Sequence, residues 1–277
     1  MVLGIYLVIA ALSAVGICLN ADGFASLRWL WLLPASFAGV FLALVLLTFL
    51  LMLVMNACVR MDKTQEKDSK FYRGMAMWAI RLVIPLLGIR VHEKGVEKVP
   101  EEGRFMLVCN HLANIDPAFL LRALPKRTLA FISKREVDQM FLVGRFLHKM
   151  LGQPVNREND REALKTILNC IRLIQEDKAS VAAFPEGYVS DDKLLHPFRR
   201  GVFKIAQRTK IPVVVCTLRN THKAIPNALR LRRTDIDLHV VGVIPAEEIA
   251  GMSTAQIGDR VYAMMAEDLG PDLVLQT

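Results

Sequence analysis

Residues 1–59 hold one acidic and one basic side chain, Asp22 and Arg28, out of 27 acidic and 35 basic residues in a chain of 277. A water-soluble core has no use for so long a stretch with so few charges, whereas a bilayer requires one. Residues 1–19 (MVLGIYLVIAALSAVGICL) carry no charge at all. A helix of that length, rising about 1.5 Å per residue, covers roughly 28 Å, close to the hydrocarbon thickness. A second apolar run fills residues 29–59, and its Pro34 suits a first helical turn, where the missing N–H is not needed. The short stretch between them, from about Asn20 to Arg28, predicts a helical hairpin. A secretory leader would begin with basic residues and end at a small-residue cleavage site. Here no Lys or Arg precedes Arg28, so an uncleaved anchor is expected.

Arg60, Lys63, Lys67, Lys70 and Arg73 crowd the exit of the second run. The positive-inside bias then predicts that both ends of the hairpin, and everything after it, lie on the cytosolic face of the cell (cytoplasmic) membrane. A hairpin confined to one leaflet would tether the chain equally well. Phe71, Met75, Trp78, Leu82 and Leu86 fall on one helical stripe flanked by Arg73 and Arg81. That pattern fits a helix lying at the lipid interface, and it fits packing against a core as well.

The remainder carries ordinary globular chemistry and the whole net charge of +8. Residues 91–277 suffice for one well-buried core and are few for two. The expected organisation is a transmembrane hairpin over 1–59, a basic linker with an amphipathic helix over 60–90, and one domain over 91–277. Cys18, Cys58, Cys109, Cys170 and Cys216 are scattered, with no C-x-x-C pair. They read as reduced thiols, with neither disulfide nor metal implied.

From Arg90 onward, short apolar runs alternate with helical periodicity. RFMLVC, RTLAFI, SVAAF, IPVVVCTL and DIDLHVVGVI are the strand candidates. Residues 160–176 predict a helix with Leu164, Ile167, Leu168, Ile171 and Ile174 on its apolar face. Residues 136–151 predict another, and Ser253 with Gln256 forms a capping box that opens a last helix to about Leu269. Strands buried on both faces with helices between them imply an α/β layered domain. No P-loop or dinucleotide fingerprint interrupts it.

Three polar clusters break the apolar flow. CNHLANIDP follows the strand RFMLVC, and polar groups at a strand's carboxyl end are where α/β domains build sites. His111 and Asp116 are five residues apart, about 140° around a helix, so they meet only across a turn. A carboxylate that holds an imidazole makes a general base, because it fixes the tautomer and stabilises the imidazolium. Asp116 before Pro117 also reads as a plain helix N-cap. FPEGYVSDD, residues 184–192, follows the strand SVAAF, and Pro185 and Gly187 force a turn around Glu186. GQPVNREN places Arg157 ahead of a helix start. Cys109 is a rival nucleophile, but it ends a buried strand, where thiols are inert.

Taken in order, these clusters resemble the 1-acylglycerol-3-phosphate acyltransferase family of glycerolipid-making enzymes. The family's N-H-x-x-x-x-D is met by Asn110, His111 and Asp116, and a Gly-to-Arg motif by Gly152 and Arg157. F-P-E-G-T-R-S is met by Phe184, Pro185, Glu186 and Gly187, then departs at Tyr188 and Val189 before Ser190. A hydrophobic run containing Pro fits Ile211 to Val215, and FISKREV with Lys134 is also similar. The similarity covers roughly residues 70–245.

The resemblance implies a mixed, largely parallel sheet flanked by helices. It also implies transfer of a fatty acyl group from acyl-CoA or acyl-carrier protein to a lysophospholipid hydroxyl, most simply making phosphatidic acid. His111 would be the base and Asp116 its orienter. Asn110, Lys134, Arg157, Phe184, Pro185, Glu186 and Gly187 would bind substrates, with Lys134 and Arg157 on the acceptor's phosphate and N–H groups around Gly187 facing the oxyanion. No cofactor and no metal is implied. Val189 removes the motif's arginine, for which Arg199 or Arg200 could substitute. A remodelling acyltransferase or transacylase with another acceptor, and a catalytically silent lipid-binding scaffold, are the alternatives. The basic surplus points to anionic lipid and not to nucleic acid, for which no motif is present.

Overall fold

The computed structural model describes residues 2–21, 24, 27–156 and 159–275. The chain divides into two compact units, 1–60 and 61–277. In the first, helices α1 (Val2–Asn20) and α2 (Trp29–Ala57) pack together as an antiparallel hairpin. Ala10, Ala14 and Cys18 repeat at four-residue steps along α1 and are buried, and the Tyr6 and Thr48 hydroxyls hydrogen-bond across the pair. Elsewhere the surface is leucine, as at Leu12 and Leu47. Hydroxyls inside α2 find acceptors in their own helix: Ser36 donates to the Leu32 carbonyl at 2.7 Å and Thr48 to Leu44 at 2.8 Å. Both helices are long and apolar enough to cross a bilayer. Pro34 lies inside α2 and not in its first turn, because the helix begins at Trp29.

The second unit is built on one seven-stranded sheet. Its strands are β1 (Ile89–Lys94), β2 (Met106–Cys109), β3 (Leu129–Lys134), β4 (Gln153–Val155), β5 (Ser180–Ala183), β6 (Val213–Arg219) and β7 (Thr234–Ile244), in spatial order β1-β7-β6-β2-β5-β3-β4. From β6 to β4 every pair is parallel; β7 is antiparallel to β6, and β1 is parallel to β7. The sheet is therefore mixed and largely parallel. Period-two alternation sorts the side chains. Leu107, Cys109, Phe131, Val214 and Cys216 face one core, and Met106, Val108, Val181, Val213 and Val215 face the other. Strands β1 and β4 lack strong apolar runs and escape sequence reading, since each lies at an edge of the sheet.

Helix α3 (Lys70–Leu86) and helix α4 (Asp116–Ala123) cover the first face. α3 docks through Ala76, Met77, Ile80 and Ile84. Phe71 and Leu86 of the predicted stripe are exposed while Trp78 is half-buried, so α3 leaves apolar surface outside its packed face. Arg73 does not remain a free cation at the hairpin's exit: it donates to Asp68 at 2.8 and 2.7 Å. The region expected to form one helix over 136–151 holds two, α5 (Arg135–Asp138) and α6 (Val143–Lys149). They meet so closely that a Cβ on Gly144 would lie 2.1 Å from the Asp138 carbonyl.

On the second face lie α7 (Asp160–Gln175), α8 (Lys204–Thr209) and α11 (Thr254–Leu269). The two remaining short helices are α9 (Ala224–Leu229) and α10 (Ala246–Ala250). α7 buries Thr166, Cys170, Leu173 and Ile174 and leaves Leu164 and Leu168 exposed. Its buried face is thus turned from the predicted one, and the Thr166 hydroxyl anchors it by donating to the Pro154 carbonyl at 2.8 Å. The capping box of Ser253 and Gln256 is formed as expected.

Candidate active site

Strands β2 and β5 are neighbours, with Val108 opposite Ala183, so the loops leaving their carboxyl ends emerge side by side. The first carries Asn110 and His111, the second Phe184 to Ser190.

Asn110 is buried and belongs to the framework. Its Nδ2 donates to the Leu218 carbonyl at 3.0 Å, and its Oδ1 accepts from the Leu218 N–H at 2.8 Å. This pins the end of β2 to the end of β6. The chain then turns, and Asp116, wholly buried, reaches back across it. Its Oδ2 accepts from His111 Nδ1 at 2.9 Å, from the Leu112 N–H at 2.7 Å and from the Ala113 N–H at 2.9 Å. Asp116 is therefore not an N-cap. It opens α4 as the first helical residue and points its carboxylate backward into the turn. Three donors converging on one oxygen fix the Nδ1–H tautomer and leave the Nε2 lone pair of His111 without a partner among the described residues. The His111 side chain keeps 16% of its surface exposed.

The second loop holds the imidazole from the other side. The Phe184 ring stacks on His111 with centroids 4.1 Å apart and planes 18° from parallel. Glu186 is buried, and both of its oxygens accept main-chain N–H groups, from His111 at 2.8 Å and from His196 at 3.1 Å. Like Asn110, it directs its polar atoms at the fold. Burial pushes its carboxyl up to about 7, against the two N–H donors and His196, which lower it, while nearby Asp116 adds to the rise. The Ser190 N–H completes the cradle by donating to the His111 carbonyl at 3.1 Å. Asp192 accepts from the Ser190 hydroxyl at 2.7 Å and from the Leu194 N–H at 3.0 Å, and bonds the His196 ring at 2.9 Å. The Ser190 hydroxyl first, then His196, hold it well below the usual carboxylate range.

Gly187 sits at φ +90°, a conformation that disfavours any side chain, and its N–H donates to the Phe184 carbonyl at 3.1 Å. That donor is therefore committed. Among the described residues, the next two main-chain N–H groups, of Tyr188 and Val189, have no protein acceptor. Pro185 is buried, and its carbonyl accepts the Arg199 N–H at 2.8 Å. Lys134 is exposed at the carboxyl end of β3, the same end of the sheet as His111. Gly152 accommodates a close approach, since a Cβ there would lie 2.8 Å from the Leu147 carbonyl; Arg157 lies outside the described residues. Arg200 is engaged with Asp259 at 3.0 Å.

Cys109 is fully buried, and burial first, then Cys216, Asp116 and Glu186, pushes its thiol well up. It is kept protonated and is no nucleophile. Sequence reading did not flag His222, which follows β6. Its Nδ1 is buried without a hydrogen-bond partner among the described residues, and burial, Lys223 and Lys193 lower its proton affinity while Asp116 raises it.

Fold and site fit the acyltransferase class. Residues 88–219 match the family model described as Acyltransferase. The relatives the chain matches are more particular. A 1-acyl-sn-glycerol-3-phosphate acyltransferase of Cocos nucifera is 24% identical over 87% of this chain and 78% of its own length. The enzyme of the same name from Limnanthes alba is 32% identical over 52% of this chain and 50% of its own, and that from Haemophilus influenzae is 26% identical over 67% and 75%. In three dimensions the chain is similar to PlsC, the 1-acyl-sn-glycerophosphate (LPA) acyltransferase of Thermotoga maritima. The TM-score is 0.61 at 19% identity, covering 82% of this chain and 89% of that one.

Proposed function

We propose that the protein is a membrane-bound O-acyltransferase that moves a fatty acyl group from a thioester donor to the free hydroxyl of a lysophospholipid, with 1-acylglycerol-3-phosphate as acceptor and phosphatidic acid as product. The observation that carries this reading is the His111–Asp116 pair, which leaves Nε2 without a partner among the described residues, at the carboxyl end of the strands. His111 Nε2 takes the proton from the acceptor hydroxyl as its oxygen attacks the thioester carbonyl of acyl-CoA or acyl-carrier protein. The tetrahedral intermediate then expels the thiolate, which receives that proton from the imidazolium. A positioned base contributes roughly 10²- to 10⁴-fold, and orienting the two substrates adds to it. The unengaged N–H groups of Tyr188 and Val189 are suited to the oxyanion. Lys134 and Arg157 hold the acceptor's phosphate. The two apolar helices support anchorage in the membrane, with the domain on the cytosolic face.

A second reading keeps the chemistry and changes the acceptor. It rests on Val189, which stands where the family motif has an arginine, and on Arg200, which is engaged with Asp259. One experiment separates the readings: purified full-length protein with acyl-CoA or acyl-carrier protein and a panel of lyso-lipids. Turnover fastest with lysophosphatidic acid, and abolished in His111→Ala, supports the first. Turnover confined to acceptors without a phosphate monoester removes the phosphate pocket, and unchanged transfer in His111→Ala removes the base.

A further inference from the structure

Leu231 has 97% of its surface exposed, and Leu229 has 82%. Leu229 ends α9 and Leu231 lies in the tight connection to β7, at φ +53°, a region that residues with a β-carbon rarely occupy. The loop is not loose. The N–H groups of Arg230 and Arg232 donate to the Asn227 carbonyl at 3.0 and 2.8 Å, and that of Leu231 donates to Ala228 at 3.0 Å. The Asn227 side chain is tied to Thr234 at 3.0 Å. The backbone therefore holds an apolar side chain in the least favourable solvent and in a strained conformation. Such strain persists where the surroundings enforce it, characteristically at functional sites.

Three arginines, Arg230, Arg232 and Arg233, surround it, all exposed. Among the described residues none of their guanidinium groups meets a carboxylate. A third leucine belongs to the same patch. Leu86, 74% exposed, ends α3 two residues before Gly88, whose missing Cβ would lie 3.6 Å from the Arg232 carbonyl. The strand register fixes which end of the domain this is. β2 and β6 run parallel, with Cys109 opposite Cys216, and β6 meets β7 antiparallel, with Arg219 opposite Asp237. The start of β7 is thus at the same end of the sheet as His111.

We infer that the loop of Leu229–Arg233, with Leu86, is a lipid-docking edge. The leucines enter the acyl boundary of a bilayer while the arginines meet the phosphates of anionic lipids. Exposed leucines beside cations that, among the described residues, meet no carboxylate are complementary to that surface. Docked in this way, the end of the sheet that carries His111 faces the leaflet from which a lyso-lipid would come. The inference rests on the proposed lipid acceptor for its purpose, but its geometry is tested without catalysis.

The test uses the full chain in vesicles of phosphatidylcholine, with and without phosphatidylglycerol. In a Cys58→Ser background, where the other four thiols are buried, Leu231→Cys carries an environment-sensitive fluorophore. Glu102→Cys, exposed before the start of β2 at the opposite end of the sheet, is the control. Doxyl-labelled lipid should quench the label at 231 severalfold more than that at 102, and more strongly with phosphatidylglycerol present. Leu229→Ser with Leu231→Ser should raise the apparent KM for vesicle-borne acceptor severalfold, with kcat, and the rate on a short-chain monomeric acceptor, unchanged. Equal quenching at 231 and 102 in protein that still transfers acyl groups overturns the docking edge and leaves the proposed activity standing. Selective quenching in protein that transfers nothing upholds the edge and removes the activity.

Discussion

Replacing Asp116 by Asn tests the proposed base without enlarging or emptying the site. The carboxylate is wholly buried and meets His111 Nδ1 at 2.9 Å. When Nε2 takes a proton, the imidazolium gains a negative neighbour about 4 Å from its charge centre. At an effective dielectric constant of about 20 that attraction is worth roughly 4 kcal/mol. An amide oxygen in the same place retains part of it as a neutral hydrogen bond, worth about 1 kcal/mol. The transition state therefore loses about 3 kcal/mol, and kcat should fall by roughly 10²-fold.

Stability should change less. An Asn oxygen can still accept from Leu112 and Ala113, and the Asp116 Oδ1 that becomes NH2 is already without a partner. A cost of about 1–2 kcal/mol is expected for the unmet donor. The assay is steady-state acyl transfer at saturating acceptor, beside thermal unfolding of the same preparation. A kcat within threefold of wild type in a folded variant would refute the argument, because the carboxylate would then contribute nothing to the charged imidazole.

Three further outcomes follow from the same geometry. Glu186→Gln should remove a pH dependence: the Glu186 carboxyl is raised from 4.5 to about 7, so its contribution to stability is present below pH 4.5 and lost as pH rises through 7. That displacement corresponds to about 3 kcal/mol, and parallel unfolding profiles of wild type and variant across this window would contradict it. Asn110→Ala strands the buried N–H and carbonyl of Leu218 and should cost about 2–4 kcal/mol by denaturant unfolding; a loss under about 0.5 kcal/mol would mean that β2 and β6 need no such pin. Lys134→Ala should raise KM for a phosphate-monoester acceptor by roughly tenfold with kcat unchanged, in line with one charge-assisted hydrogen bond, and an unchanged KM would place the phosphate elsewhere.

Several elements could be read from local pattern. The apolar run to residue 59, the strand SVAAF and the capping box at Ser253 each follow from composition or spacing within a dozen residues. The lone N-H-x-x-x-x-D was ambiguous, since Asp116 before Pro117 is equally good as a helix start. Only the folded turn shows the carboxylate pointing back at the imidazole. Glu186 and Asn110 stood in the right motifs, but their partners, the His196 N–H and the Leu218 backbone, are remote in sequence or supplied by another strand. The close approach of α5 and α6 at Gly144 and the hydrogen bond of Thr166 in α7 to the Pro154 carbonyl are tertiary contacts, which periodicity does not encode.

Sequence alone determined which stretches avoid water, where the charges gather, and which residue types stand at strand ends, because burial and chain stiffness act on neighbours. Tertiary structure decided what those residues do. A carboxylate becomes an orienter, a clamp or a surface charge according to the donors brought against it, and those donors come from strands that the chain joins only after folding.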